Sequence, residues 1–146
     1  VNLYGPSDNF DINSSHVIPA LIKKCIDAKE VGDKEIVVWG DGSPLREFLY
    51  VDDLAEACVF LMNNYDDSDI INIGTGEDVT IAQLVEAVKR AIGYDGEIIY
   101  DTTKPDGTPR KLLDVSKINN LGWKAKHSLA DGLELTTKWY KRTIIG

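Results

Sequence analysis

Residues Val37–Asp53 read VVWGDGSPLREFLYVDD, and the rest of the chain is best read outward from them. Ile36–Trp39 is a short apolar run ending in an aromatic, which predicts a strand. Gly40–Pro44 follows with two glycines and a proline, so the backbone must reverse there. Arg46–Val51 predicts a second strand, opened by a cation. Asp52–Asp53 then start a helix: Asp53 and Glu56 have capping-box spacing, and the apolar residues Leu54, Ala55, Ala57, Cys58, Phe60 and Leu61 follow. The turn therefore holds Trp39 and Arg46 at the adjacent ends of two strands. The residues alone leave two readings of that pair. One is a core tryptophan with a surface arginine. The other is a flat ring beside a guanidinium, able to receive a base or sugar next to a phosphate.

Composition narrows the classes. With 146 residues, 43% hydrophobic and 27% charged, the chain is one domain's worth and can bury a core. A net charge of −8 argues against a nucleic-acid partner, whose phosphates demand a basic face. It still allows an anionic small molecule wherever the cations cluster. No stretch reads as a membrane span or a signal peptide. Cys25 and Cys58 both fall on apolar faces of predicted helices. They are expected to be buried thiols in a reducing compartment, which points to the cytoplasm. No Cys/His cluster has metal spacing, and no Gly-x-Ser-x-Gly elbow occurs. The chain opens on Val1 and runs straight into a strand end and turn, from which one lobe of a longer protein is expected.

Upstream of the central stretch, Val1–Tyr4 predicts the end of a buried strand, closed by Gly5–Pro6. Asn13–Ser15 offers caps for a helix to about Ala28, with Ile18, Leu21, Ile22, Cys25 and Ile26 as its apolar stripe and Pro19 in its first turn. His16 stands at the mouth of that helix, either as a structural residue or as a titratable group facing a cleft. Lys23 and Lys24 on the next turns read as a solvated face. Downstream, Asn64–Asp69 is an acidic loop and Ile70–Ile73 a predicted strand. Gly74-Thr75-Gly76 is a turn without the third glycine of a dinucleotide fingerprint. Thr80 and Gln83 form a capping box for a helix that carries Leu84, Val85 and Val88 inward and stops at Gly93. Glu97–Tyr100 predicts another strand. Asp101–Leu113 is an extended loop whose Lys104, Arg110 and Lys111 form either an anion site or a plain charged surface. Ser116–Leu121 predicts a short helix with Trp123 packed behind it, and Ser128 caps a last helix, Leu129–Lys141. The expected fold is mixed α/β: a small sheet of Ile36–Trp39, Arg46–Val51, Ile70–Ile73 and Glu97–Tyr100 flanked by helices, with Val1–Tyr4 left unpaired.

Two of these stretches carry a family likeness. REFLYVDDLAEA at Arg46–Ala57, and NIGTG at Asn72–Gly76 followed by Val79-Thr80-Ile81, resemble the C-terminal part of the extended short-chain dehydrogenase/reductase family, the NAD(P)-dependent epimerases and dehydratases of nucleotide sugars. NLYGPSDNF at Asn2–Phe10 with SHVIPAL at Ser15–Leu21, VWGDGSPLREFL at Val38–Leu49, and KPDGTPRKLLD at Lys104–Asp114 are most similar to particular members of it. Those members epimerise a GDP-linked 4-keto-6-deoxy sugar at C3 and C5 and then reduce it with NADPH. The alternatives are another nucleotide-sugar epimerase or dehydratase, or a non-catalytic nucleotide-sugar-binding module.

The resemblance implies a division of the chain. Residues 1–13 would be the end of the dinucleotide-binding core and residues 14–146 a substrate-binding lobe, with the Rossmann core largely absent. It also implies roles. Asn2 and Leu3 would lie beside the nicotinamide end of NADP. His16 would contact the cofactor region and act as the acid in epimerisation. Lys24 and Arg46 would meet the substrate pyrophosphate, and Trp39 the nucleotide-sugar moiety. Asp106 and Lys111 would close over the GDP-sugar from the late loop. The parent would be a homodimer. The family's Gly-rich dinucleotide turn, its Tyr-x-x-x-Lys pair and its catalytic cysteine are counted as absent, so no turnover is expected of these 146 residues alone.

Overall fold

The computed structural model describes residues 1–146. The central stretch folds into three short strands rather than two. β2 (Glu35–Trp39) pairs in parallel with β6 (Glu97–Asp101), with Val38 opposite Tyr100. Ile36 and Val38 point into the core, while Val37 and Trp39 point out, as a half-buried strand requires. The Arg46–Val51 run is interrupted at Glu47. β3 (Leu45–Arg46) lies between antiparallel β5 (Val79–Thr80) and parallel β7 (Arg110–Lys111). β4 (Phe48–Tyr50) pairs in parallel with β1 (Asn2–Tyr4), Leu3 opposite Leu49. The single small sheet of the sequence reading is thus three small sheets, and the first strand is paired rather than orphaned.

Ile70–Ile73 is not a strand. Ile70 is exposed, whereas Ile71 and Ile73 lean on a small apolar cluster under the chain. An apolar run this short looks the same whether it pairs or merely anchors a loop, and the edge of β3 is taken by Val79–Thr80 instead.

The core lies where α1 (Val17–Val31), α3 (Ile81–Ile92) and α5 (Leu129–Tyr140) pack with β2 and β4, around Ile22, Cys25, Val38, Leu84, Val88 and Leu133. Local signals explain these helices. Thr80 with Gln83 and Ser128 with Asp131 form complete capping boxes. Gly93 ends α3 in the left-handed region, with φ 70°. α5 continues into a short π-helical turn, Lys141–Ile145.

A second cluster gathers Leu49, Ala57, Val115, Ile118 and Trp123 beneath α2 (Val51–Asn64) and α4 (Ser116–Asn120). Two expectations for α2 are corrected here. Its start has no side-chain cap, and Asp53 turns inward, where it accepts from the backbone N–H groups of Lys126 (3.1 Å) and His127 (2.9 Å). Cys58 is exposed and only Cys25 is buried, because α2 seats Ala57 inward and turns Cys58, Val59 and Met62 outward. No helix is long and apolar enough to cross a membrane.

Candidate functional site

The site grows from the short β3 strand. Its two neighbours bring distant segments to Arg46, and in the parallel β3–β7 register Arg46 stands opposite Lys111. The Arg46 guanidinium donates one hydrogen bond to the Leu45 carbonyl at 2.7 Å and lies close to Gly107. The late loop supplies three cations that meet different fates. Arg110 forks onto Asp78, with Nε 2.6 Å from Oδ2 and Nη2 3.3 Å from Oδ1, and that carboxylate holds its guanidinium above the usual arginine range. The Lys104 ammonium sits 5.4 Å from the centroid of the Trp39 ring. Lys111 is exposed and makes no ion pair.

Trp39 is 67% exposed, so it is not a core tryptophan; its ring already has the Lys104 ammonium over it and is open enough for a planar partner. Asp106 accepts from the Asp41 backbone N–H at 2.8 Å, which straps the late loop to the Gly40–Pro44 turn. Gly40 has φ 83°, and a Cβ there would run into the Asp106 carboxylate, so the turn and the loop fit only with glycine. Trp39, Arg46, Asp106 and Lys111 are therefore tied together by one loop. Lys24 stands apart. Its Nζ donates to the Val37 carbonyl at 2.9 Å, and burial pulls its pKa below the usual lysine range.

Asn2, Leu3 and His16 meet in a cavity of about 410 Å³, completed by Pro6, Ser7 and Asp8. Asn2 is already engaged, since its Nδ2 donates to the Glu47 carbonyl at 3.0 Å. His16 supplies the backbone N-cap of α1, its carbonyl accepting from the Ala20 N–H at 3.0 Å, and its side chain makes no cap bond. The imidazole is exposed at the cavity wall. A second cavity, about 520 Å³, opens beside Arg46 against Thr75, Lys124, Lys126, His127 and Ser128.

Sequence reasoning missed three features. Glu47 is 1% exposed, and its carboxylate is gripped by the N–H groups of Thr75, Gly76 and Leu113. His127 Nδ1 lies 2.8 Å from Asp53 Oδ1, with its ring tilted over Tyr50 at 4.7 Å. No local pattern marks these contacts, because each joins residues far apart in the chain. The third was visible: Tyr100 and Lys104 do have the Tyr-x-x-x-Lys spacing counted as absent. They lie on a strand and the turn after it rather than on one helix face, and burial pushes the Tyr100 phenol up.

The model of the NAD dependent epimerase/dehydratase family matches residues 1–74. The chain belongs to that family. Among epimerase/dehydratase relatives, "GDP-L-fucose synthase 1" of Arabidopsis thaliana is 56% identical over 98% of this chain and 44% of its own length. The Escherichia coli GDP-L-fucose synthase is 45% identical over 95% of this chain and 46% of its own length. The chain thus spans less than half the length of these curated relatives. A GDP-L-fucose synthetase from Naegleria fowleri bound to NADP superposes with a TM-score of 0.92 at 32% identity, covering 99% of this chain and 46% of that one. A UDP-glucose 4-epimerase from Thermotoga maritima gives a TM-score of 0.85 at 31% identity, covering 98% of this chain and 44% of that one. These matches bear out an α/β substrate-lobe fold for the family's C-terminal part.

Proposed function

We propose that this chain forms the substrate-binding part of a GDP-L-fucose synthase, which converts GDP-4-keto-6-deoxymannose to GDP-L-fucose with NADPH. The carrying observation is the register of Arg46 with Lys111: two cations free of carboxylate partners, brought together from separate segments. A diphosphate suits that pair, the planar guanidinium binding two oxygens as a fork and the ammonium acting as a point charge. Trp39 lies on the same strap of late loop and turn, and offers its exposed ring to the nucleotide-sugar part. In this reading Asp106 keeps the strap closed, and Lys24, which stands apart on the Val37 carbonyl, would have to leave that contact to join the diphosphate from α1. The fucose synthases named above support this choice over other nucleotide sugars.

In the same reading, residues 1–13 end the dinucleotide-binding core and residues 14–146 form the lobe. Asn2, Leu3 and His16, which line one cavity, meet the nicotinamide end of NADP. When bound, NADPH supplies the hydride of the reduction. The carbons beside the 4-keto group are acidified by it, and epimerisation needs a proton returned to the opposite face. In this reading His16 delivers that proton, and its solvent-facing ring, free of a side-chain cap bond, supports the role. The 146 residues alone would bind without turnover. The resemblance further implies a homodimeric parent, and the net charge of −8 argues against a nucleic-acid partner.

Calorimetric titration with GDP-fucose and with UDP-glucose tests the reading. Binding that prefers the guanine nucleotide and vanishes in Arg46→Ala supports it. Equal binding of both favours a general diphosphate site, the reading that the UDP-glucose epimerase neighbour would suggest. No binding by the unaltered chain overturns the assignment of the diphosphate to these residues unaided.

A further inference from the structure

Glu47 is a buried carboxylate without a cation. None of the ion pairs in the molecule includes it. Its Oε1 accepts from Thr75 N–H at 2.7 Å and Gly76 N–H at 2.8 Å, and its Oε2 accepts from Leu113 N–H at 3.1 Å. Its own carbonyl accepts twice from Asn2, from the backbone N–H and from Nδ2, each at 3.0 Å. The Gly74-Thr75-Gly76 turn, which resembles part of a phosphate loop in sequence, is an anion nest for this side chain. Gly74 belongs to the same fit: a Cβ there would collide with Oε1.

We propose that Glu47 is a positioning residue that holds three site residues in one frame. This rests on the reading of Arg46 and Lys111 as the diphosphate pair. Arg46 precedes Glu47 directly. Lys111 lies two residues before Leu113, whose N–H the carboxylate holds, so Glu47 sets how far β7 stands from β3. Asn2, on the cavity side, hangs on the same residue through its carbonyl. The negative charge is what makes the arrangement work. Every contact to the carboxylate from these backbones is an N–H, and both oxygens are needed. A glutamine would turn an NH₂ towards one of those donors and leave it unpaired.

The test compares Glu47→Gln with the unaltered chain in two readouts. The first needs no ligand: the exchange rate of the Leu45 amide, which donates to the Pro109 carbonyl across β3–β7 at 2.8 Å. In Glu47→Gln that amide should exchange roughly tenfold faster, together with Thr75, Gly76 and Leu113, while amides of α3 keep their protection. The second is GDP affinity by calorimetry, expected to fall roughly tenfold at an unchanged fraction folded. Leu45 protection equal to that of the unaltered chain overturns the proposal. So does a Leu45 change with GDP affinity left intact. If the unaltered chain does not bind GDP, the diphosphate reading fails, and the Leu45 amide alone decides whether Glu47 positions the pair. If Glu47→Gln does not fold, Gly74→Ala, which presses on the same carboxylate, is read by the same two measurements.

Discussion

Arg46 and Lys111 stand side by side in the register of a two-residue parallel ladder, although two complete helices separate them in the chain. Two cations so placed repel one another unless an anion lies between them. Each single variant, Arg46→Ala and Lys111→Ala, should therefore weaken GDP binding by about tenfold or more. The double variant should lose less than the product of the two, because the second cation no longer has a partner in the site. Arg46→Lys should recover only part of the affinity, since an ammonium cannot fork. Calorimetry at low and at high salt would check all of these, with the weaker response to salt in the singly charged variants.

Gly74 and Glu47 should be coupled. Gly74→Ala alone should cost about 1–3 kcal/mol, because the new methyl group displaces a buried, hydrogen-bonded carboxylate. In a Glu47→Ala background the space is free and the same change should be nearly neutral. Urea denaturation of the four proteins gives the interaction energy.

Asp53 and Glu56 separate a clamp from a cap. Asp53 is buried and holds two N–H groups and the His127 ring, so Asp53→Ala should cost about 2–4 kcal/mol. Glu56 pairs with Lys126 at the surface, and Glu56→Ala should stay within about 0.5 kcal/mol. Comparable losses at the two positions would restore the capping-box reading. Thermal midpoints of the two variants decide it.

The two thiols should behave differently. Exposed Cys58 should react with an aromatic disulfide reagent in the folded protein at mildly alkaline pH, and Cys25 only on unfolding. Burial pushes the Cys25 thiol from its ordinary 9.0 up to about 11. The raised folded value means that this group's contribution to stability is complete below pH 9.0 and disappears as pH rises towards about 11. Cys25→Ala should flatten that alkaline limb while lowering stability at neutral pH by a smaller packing loss. A melting series across this range measures both.

Much of the helical framework was legible from local pattern. The stripe of α1, the Thr80–Gln83 box, the Ser128 cap and the stop at Gly93 are all decided within a turn or two of backbone, where neighbours in sequence are neighbours in space. The bends at Gly40 and Gly42, both with positive φ, were legible for the same reason. The stretches Asn2–Phe10, Ser15–Leu21, Val38–Leu49 and Lys104–Asp114, which carry the closer likeness, hold every site residue to examine except Lys24.

Tertiary structure alone decided which of those residues meet. Arg46 and Lys111 become neighbours only through a strand register; Trp39 turns outward only because β2 pairs with β6. Asp53 abandons its local cap for N–H groups at Lys126 and His127, and Cys58 faces solvent although its helix reads as apolar there. Glu47 shows the reason most directly. A carboxylate withdrawn from water must find strong donors wherever the folded chain presents them, and Thr75, Gly76 and Leu113 are near it only once the strands have closed. Period and capping are properties of a segment. The partner of a buried charge is a property of the whole fold.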